Sequence, residues 1–452
     1  MLTLKTISKY LGLSHQIAME GTWSLGLRVA STALGFLSTI LLARLLGASG
    51  YGIYAFSYAV VVLLALPAQA GLPNLVLRET ARAISENKPG NIRAIWSWSA
   101  ILAFLISLGI IIVAGLIIYH KGITNTQQIT LLIALPLVPL LAFVSLVGSA
   151  LRGLKHVVAG QIPESIIRPT LFLLLLVTCT WLFRLKLSPS LAITLRVIAG
   201  ICALITGAFL LQRYTPPSVK RIPLNRASIE PRWGKSAVIF ALIAAFGVIS
   251  NQASTVILGL YVHPSEIGIF RVAAQLASLA AFGLQAVNMV VAPRFAGIYA
   301  RGDLDHLQYV VRRTSQIVLG FSLCATLFFV FAGRPILEVL FGPEFVSGYV
   351  PLVILLVGQL VNSAAGSVGL LLNMTGYEAK TALGLAIASV SNIAVNLILV
   401  PLWGASGAAT ATAVSLAIWN VALWNAARKN LRINTLAFSV EMSRCVSRIR
   451  LL

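Results

Sequence analysis

Acidic side chains are scarce: 12 Asp and Glu stand against 34 Lys and Arg in 452 residues, and charged residues total only 10%. An average soluble domain is about a quarter charged. Length alone suggests roughly three soluble domains, and this chain has too few charges to coat them. Cysteine is also rare, at four residues (Cys179, Cys202, Cys324, Cys445), none near another in sequence. No disulfide or metal spacing exists, and small apolar core positions account for them. The five histidines are scattered and form no His-Glu-x-x-His motif. Gly234-Lys235-Ser236 looks like the end of a phosphate-binding loop, but the required first glycine falls at Ile229. No enzyme motif is intact, so we expect no catalytic residues, no cofactor and no metal.

What the chain does have is apolar length. It is 58% hydrophobic, which excludes disorder. A membrane span needs about 20 mostly apolar residues. Twelve such runs occur, near 21–45, 51–72, 95–119, 128–150, 160–183, 189–212, 236–261, 266–292, 315–341, 346–372, 381–402 and 405–427. The runs at 51–72 and 405–427 are rich in Ala, Ser and Gly, which lets helix backbones approach closely in lipid. They read as buried bundle helices. Met1–Gly21 is mixed and polar, with no short apolar core, so the first span is expected to be retained.

The net charge of +22 raises nucleic acid as a partner until the basic residues are placed. With the N-terminus inside, 25 of the 34 fall on the cytoplasmic side and 5 on the outer side. Arg78, Arg82, Arg294, Arg301, Arg312 and Arg313 are assigned to cytoplasmic loops, and Arg213–Lys235 holds six more. This is a strong positive-inside bias. It predicts a multi-pass membrane protein with both termini cytoplasmic, and no nucleic-acid partner.

Arg213–Lys235, with four prolines, divides the runs into two sets of six. The expected organisation is a cytoplasmic segment 1–20, a six-helix lobe 21–212, a linker 213–235, a second six-helix lobe 236–427 and a basic tail 428–452 that forms an interfacial amphipathic helix. An ungapped offset of 216 residues aligns Gly52-Ile53-Tyr54 with Gly268-Ile269-Phe270, and Arg78 with Arg294. Six spans return the chain to the same side, so the lobes form a parallel pseudo-repeat. That is a plan of transporters working by alternating access. The fold class is therefore all-α integral membrane, with about 12 transmembrane helices in two lobes.

Charges inside spans are costly and are functional candidates by default. Arg28, Arg168, Arg196 and Arg271 qualify, at different depths. Guanidinium stays charged and grips phosphate oxygens in a bidentate fork. Arg168 lies four residues after Glu164, on the same helix face, between Pro163 and Pro169. One reading is a self-neutralised pair, and the other is a coupling role in which Glu164 takes up a proton. The second half is polar without charge: Asn251, Gln252, Ser254, Gln275, Asn362, Asn392 and Asn396 lie within its spans. Asn251, Gln275 and Asn362 are candidates for binding hydroxyl-rich sugar, and interhelical hydrogen bonding is the plainer use of Asn362 and Asn392.

The stretch Leu41-Leu42-Ala43-Arg44-Leu45-Leu46-Gly47-Ala48-Ser49-Gly50-Tyr51-Gly52-Ile53-Tyr54, with Gly71-Leu72-Pro73 and Arg78-Glu79-Thr80-Ala81-Arg82 beyond it, resembles the opening of polysaccharide-export flippases. These belong to the multidrug/oligosaccharidyl-lipid/polysaccharide exporter superfamily. Gly268-Ile269-Phe270-Arg271-Val272-Ala273, Ala292-Pro293-Arg294-Phe295-Ala296 and Thr375-Gly376 extend the likeness over nearly the whole chain. The resemblance implies a two-lobed fold of twelve to fourteen helices. It also implies movement of an undecaprenyl-pyrophosphate-linked oligosaccharide across the membrane. Arginines on the first helix and on the second helix of the second lobe serve the substrate in related flippases, and Arg28 and Arg271 hold those places here. Relatives often carry an Asp near Ser254, which this chain lacks.

The function expected is thus a flippase for lipid-linked oligosaccharide in surface polysaccharide assembly, O-antigen, capsule or exopolysaccharide. Its partners would be the lipid-linked substrate, membrane lipids, and a polysaccharide polymerase and glycosyltransferases. A multidrug exporter of the same superfamily is the first alternative, though such proteins want buried carboxylates. A membrane polymerase or ligase of lipid-linked sugars is the second, though the outer loops are short for one.

Overall fold

The computed structural model describes residues 15–120, 125–220 and 232–437. All regular structure among them is helical. In chain order the helices are α1 (His15–Gln69), α2 (Leu72–Ser85), α3 (Pro89–His120), α4 (Thr126–Ala134), α5 (Leu137–Gly153), α6 (Val157–Ile162), α7 (Arg168–Val177), α8 (Pro189–Tyr214) and α9 (Pro217–Lys220). They continue as α10 (Arg232–Tyr261), α11 (Pro264–Ala280), α12 (Phe282–Ala300), α13 (Leu304–Ile336), α14 (Tyr349–Ala365), α15 (Val368–Met374) and α16 (Glu378–Leu431).

Among the described residues nine helical stretches are long and apolar enough to cross a membrane, or ten with the bent pair α11–α12 taken as one span. Two of the ten, Gly26–Gln69 and Glu378–Leu431, each contain a break. The breaks lie at Gly47 (φ 67°) and Gly404 (φ 52°), a backbone region that only glycine enters without strain. Each of the two is therefore a pair of spans, which gives twelve in the expected order. After the Gly47 break α1 buries Ala55, Ala59, Val61 and Ala65, and after Gly404 α16 buries Ala405, Ala408, Ala409 and Ala411. The two runs rich in small residues are indeed interior helices.

Several arginines expected in loops are on helices instead. Arg78 and Arg82 belong to α2, which buries Leu72, Leu75, Val76 and Ala83 on one face. Arg294 lies in α12, Arg312 and Arg313 lie in α13, and Arg301 caps the end of α12. The side chain of Asp303 then starts α13 by accepting from the His306 amide at 3.0 Å. Amphipathic ends of this kind dilute the apolar signal while the helix continues. A run of apolar residues also hid the 42° bend between α11 and α12.

The chain divides into two compact units, Met1–Gln252 (unit 1) and Ala253–Leu452 (unit 2). The boundary between these units falls inside α10. The reason is local packing of the first turns of α10. Trp233 is buried beside Trp98, with ring centroids 5.9 Å apart, and Ser236 accepts a hydrogen bond from Arg78 at 3.0 Å. The 428–452 tail helix expected from sequence lies largely outside the described residues.

Candidate functional site

In unit 1 the path from α6 to α7 passes through a π-helical turn, Pro163–Ile167. Pro169 has no N–H to give the Ser165 carbonyl, so a regular α register cannot run through it. The Arg168 amide reaches back to the Pro163 carbonyl instead. This turn holds Glu164 and Arg168 on one face, 3.9 Å apart. The separation is long for an ion pair, and the Glu164 side chain is 50% exposed against 19% for Arg168. The arginine is thus the interior member of a loose pair.

Arg196 of α8 meets the second half of α1 close by. Its Nη1 donates to the hydroxyl of Tyr54. The guanidinium carbon lies 4.0 Å from the Tyr58 ring centroid and 5.0 Å from that of Phe172. Tyr54 stacks on Tyr51, Tyr58 and Phe172 at 6.1 to 6.5 Å. Tyr58 is within electrostatic reach of Arg196, Arg168 and Glu164 at once. Three of the sequence-predicted residues, Glu164, Arg168 and Arg196, therefore converge on one aromatic cluster. Ring faces hold a guanidinium by cation–π attraction. A guanidinium's planar fork of N–H donors also matches a phosphate.

Arg28 is on the exposed side of α1, one turn beyond Ser24, which accepts a hydrogen bond from Gln161 at 3.3 Å. Asn251 is exposed and donates to the Gly247 carbonyl of its own helix, at 2.7 Å. It does not join the cluster.

Unit 2 solves its interior differently. Asn396, fully buried, donates to Ser254 Oγ at 3.0 Å and to Asn392 Oδ1 at 3.1 Å. Ser254 and Thr412 share a hydrogen bond at 3.2 Å, and Asn392 donates to Ser415 at 3.4 Å. Asn362 accepts from Asn420 at 3.0 Å and donates to Gln359 at 3.4 Å. Its cross-helix partner is therefore Asn420, not Asn392. The network holds no carboxylate. Glu266 is used elsewhere: its carboxylate accepts the Ala405 amide at 3.0 Å, just past the Gly404 break. Arg271 is half-buried and makes no hydrogen bond or ion pair with a described residue, and Gln275 lies one turn further along α11.

Sequence reasoning missed the tyrosine cluster. Tyr51, Tyr54 and Tyr58 recur at helical spacing on one face of α1, a readable signal. It also missed Asn420, Thr412 and Ser415 as partners. Among the described residues no group of three or more His, Cys, Asp or Glu is placed to hold a metal ion.

Fold and site together define a multi-pass integral membrane protein built of two helical units. The chain belongs to the polysaccharide biosynthesis protein family, whose model matches residues 18–299. It is similar to the probable low-salt glycan biosynthesis flippase Agl15 of Haloferax volcanii, with 25% identity over 400 residues, 86% of this chain and 79% of that protein. Its fold is shared with an inward-facing multidrug resistance MATE family transporter of the MOP superfamily (TM-score 0.72, 13% identity, 91% of this chain and 98% of that one). It is shared equally with the lipid II flippase MurJ in an inward closed conformation (TM-score 0.71, 15% identity, 90% and 87%). Those two structures with this fold are a transporter and a flippase.

Proposed function

We propose that this protein is a flippase that carries a polyprenyl-pyrophosphate-linked oligosaccharide from the inner to the outer leaflet of the plasma membrane by alternating access, for assembly of a surface polysaccharide. The observation that carries the reading is Arg196 framed by Tyr54, Tyr58 and Phe172, with a second interior cation, Arg168, held only loosely by Glu164. Charge at that place in a span suits a mobile anionic substrate. Arg28, Arg168, Arg196 and Arg271 would grip the diphosphate, and Asn251, Gln275 and Asn362 the sugar hydroxyls, while the lipid tail stays in bilayer. Membership of a polysaccharide biosynthesis family and the glycan-flippase relative support this substrate class. The lobes would be 21–212 and 236–427, joined by 213–235, with both termini cytoplasmic, as the positive-inside bias favours.

Glu164 would serve as the coupling group: protonation releases Arg168 to the substrate, and deprotonation draws it back. A polymerase and glycosyltransferases would act before and after transport. A multidrug exporter has the same fold, but an interior of arginines repels organic cations.

The test is reconstitution in vesicles with a fluorescent polyprenyl-diphosphate sugar loaded in one leaflet. Wild-type protein should deliver the label to a membrane-impermeant quencher, and Arg28→Ala or Arg271→Ala should abolish delivery at equal protein level. Normal delivery by both variants, or transport of a cationic dye instead, would overturn the reading.

A further inference from the structure

The second unit has a groove that the transport site does not use. It lies between α12 and α13, encloses about 720 Å³, and is walled by Val290, Val291 and Ile317 with Arg294, Arg313 and Tyr309 at one end. Val290 precedes Arg294 by one turn, and Ile317 follows Arg313 by one turn. The helices are antiparallel around the Arg301–Asp303 turn, so both arginines sit at the same end and both apolar walls run away from it.

Among the described residues, the arginines at that end have no counter-anion. Arg294 makes no hydrogen bond or ion pair with a described residue. Among the described residues, Arg313 meets the ring of Tyr309, at 5.6 Å, and no carboxylate. Neighbouring Arg312 has its Nε buried without a partner. The equivalent position in unit 1, offset by 216 residues, is Arg78. That residue is satisfied from within: it pairs with Glu79 at 2.9 Å, donates to Ser236 at 3.0 Å and lies over Phe240 at 5.3 Å. In unit 2 the residue matching Glu79 is Phe295, fully buried. Unit 2 thus has the cation without the neighbouring carboxylate.

We propose that this groove is a binding site for an anionic glycerophospholipid of the surrounding bilayer, its phosphate at Arg294 and Arg313 and one chain along the valine wall. The ligand must carry negative charge at one end and a long apolar body at the other, and basic pockets between membrane helices select such lipids. A soluble anion leaves the wall empty, and a zwitterionic phospholipid brings its own ammonium to compete for the phosphate that the arginines would pair. The site is independent of the transport reading.

The experiment uses the delipidated full-length protein in neutral detergent, titrated with spin-labelled phosphatidylglycerol or phosphatidylcholine of identical chains. Phosphatidylglycerol should bind more tightly, by about fivefold for each arginine engaged. Arg294→Gln with Arg313→Gln should erase the preference. Arg301→Gln, exposed but outside the groove, should leave it intact. Val290→Trp, which fills the wall without touching charge, should weaken both lipids and keeps the test open if the double variant does not fold. Equal binding of the two lipids by wild-type protein, or equal loss in Arg301→Gln, would overturn the proposal. So would displacement by millimolar inorganic phosphate or by stoichiometric undecaprenyl phosphate, which would assign the groove to a free anion or to the transport substrate.

Discussion

At an offset of 216 residues the two units match in frame and differ in content. Gly50 packs against Pro189 in unit 1, and the equivalent pair in unit 2 is Glu266 with Ala405. Both mark where the helix after the first turn meets the start of the sixth span. Within that common frame Tyr54 falls on Phe270, each 4% exposed, and Arg196 falls on Thr412. The Tyr54 hydroxyl has a guanidinium to meet, and Phe270 has no hydroxyl to need one. Thr412 turns to Ser254 instead, within an uncharged network. The ion pairs Arg78–Glu79, Arg82–Glu86, Lys88–Glu86 and Glu164–Arg168 all belong to unit 1. Along this offset packing positions correspond, and the chemistry differs at a few interior ones.

The comparison breaks most sharply at Arg196. Arg196→Ala leaves the buried Tyr54 hydroxyl without its donor and removes a cation stacked on two rings. We expect a loss of about 3 kcal/mol in stability and a fall in flipping of about 100-fold. Thr412→Val, the matched change in unit 2, should leave flipping within about threefold, since it removes one neutral hydrogen bond. Thermal unfolding in detergent and the vesicle assay read both. Equal transport loss in the two variants would show that the charge asymmetry has no functional meaning.

Asn396→Leu comes next. It deletes the hub that joins Ser254 to Asn392, and should cost about 1 to 2 kcal/mol. Flipping should fall less than in Arg196→Ala, because no substrate charge is involved. A transport loss larger than that of Arg196→Ala would move the functional centre into unit 2.

The spans were legible because a run of about 20 apolar residues has few other uses. The Glu164–Arg168 pair was legible because i,i+4 spacing is local. The meeting of Arg196 with Tyr54, 142 residues apart, was not: tertiary convergence leaves no mark in spacing. Nor were the helical ends that carry Arg78, Arg294, Arg312 and Arg313, since charge there lowers hydropathy without ending the helix. Asn392 and Asn396 were visible as polar residues in a span, and their partner Ser254 came from a helix 142 residues earlier.

A smaller contrast concerns how each sixth span begins. Ser188 caps α8 with its own side chain, accepting the Leu191 amide at 3.2 Å. In unit 2 the cap at Ala405 comes from Glu266 on another helix. Each cap is worth about 1 kcal/mol. Ser188→Ala should lower stability by that amount and leave transport unchanged. Glu266→Gln keeps an acceptor and should cost less than Glu266→Ala. Equal unfolding temperatures for Glu266→Ala and wild type would show that the cross-helix cap contributes nothing.

The smallest effect lies at the end of α2. Glu86 sits between Arg82, at 2.6 Å, and Lys88, at 2.9 Å. Hydrogen bonds from Lys88 and Arg82 pull its carboxyl down to about 2. The folded state therefore favours the ionised form more than the unfolded chain does. Stability from this group is present above the ordinary carboxylate range, and is lost as pH falls from there toward 2. Because Glu86 is exposed, solvent screens the pair and the effect is slight. The matching position in unit 2 is Gly302, which has no carboxyl to titrate. Glu86→Gln should flatten a shallow decline in melting temperature between about pH 5 and about pH 3, whereas Gly302→Ala, at a positive φ of 74°, should lower the melting temperature equally at every pH. A pH-dependent loss in the glycine variant would place an acid-sensitive contact at that turn of unit 2 as well.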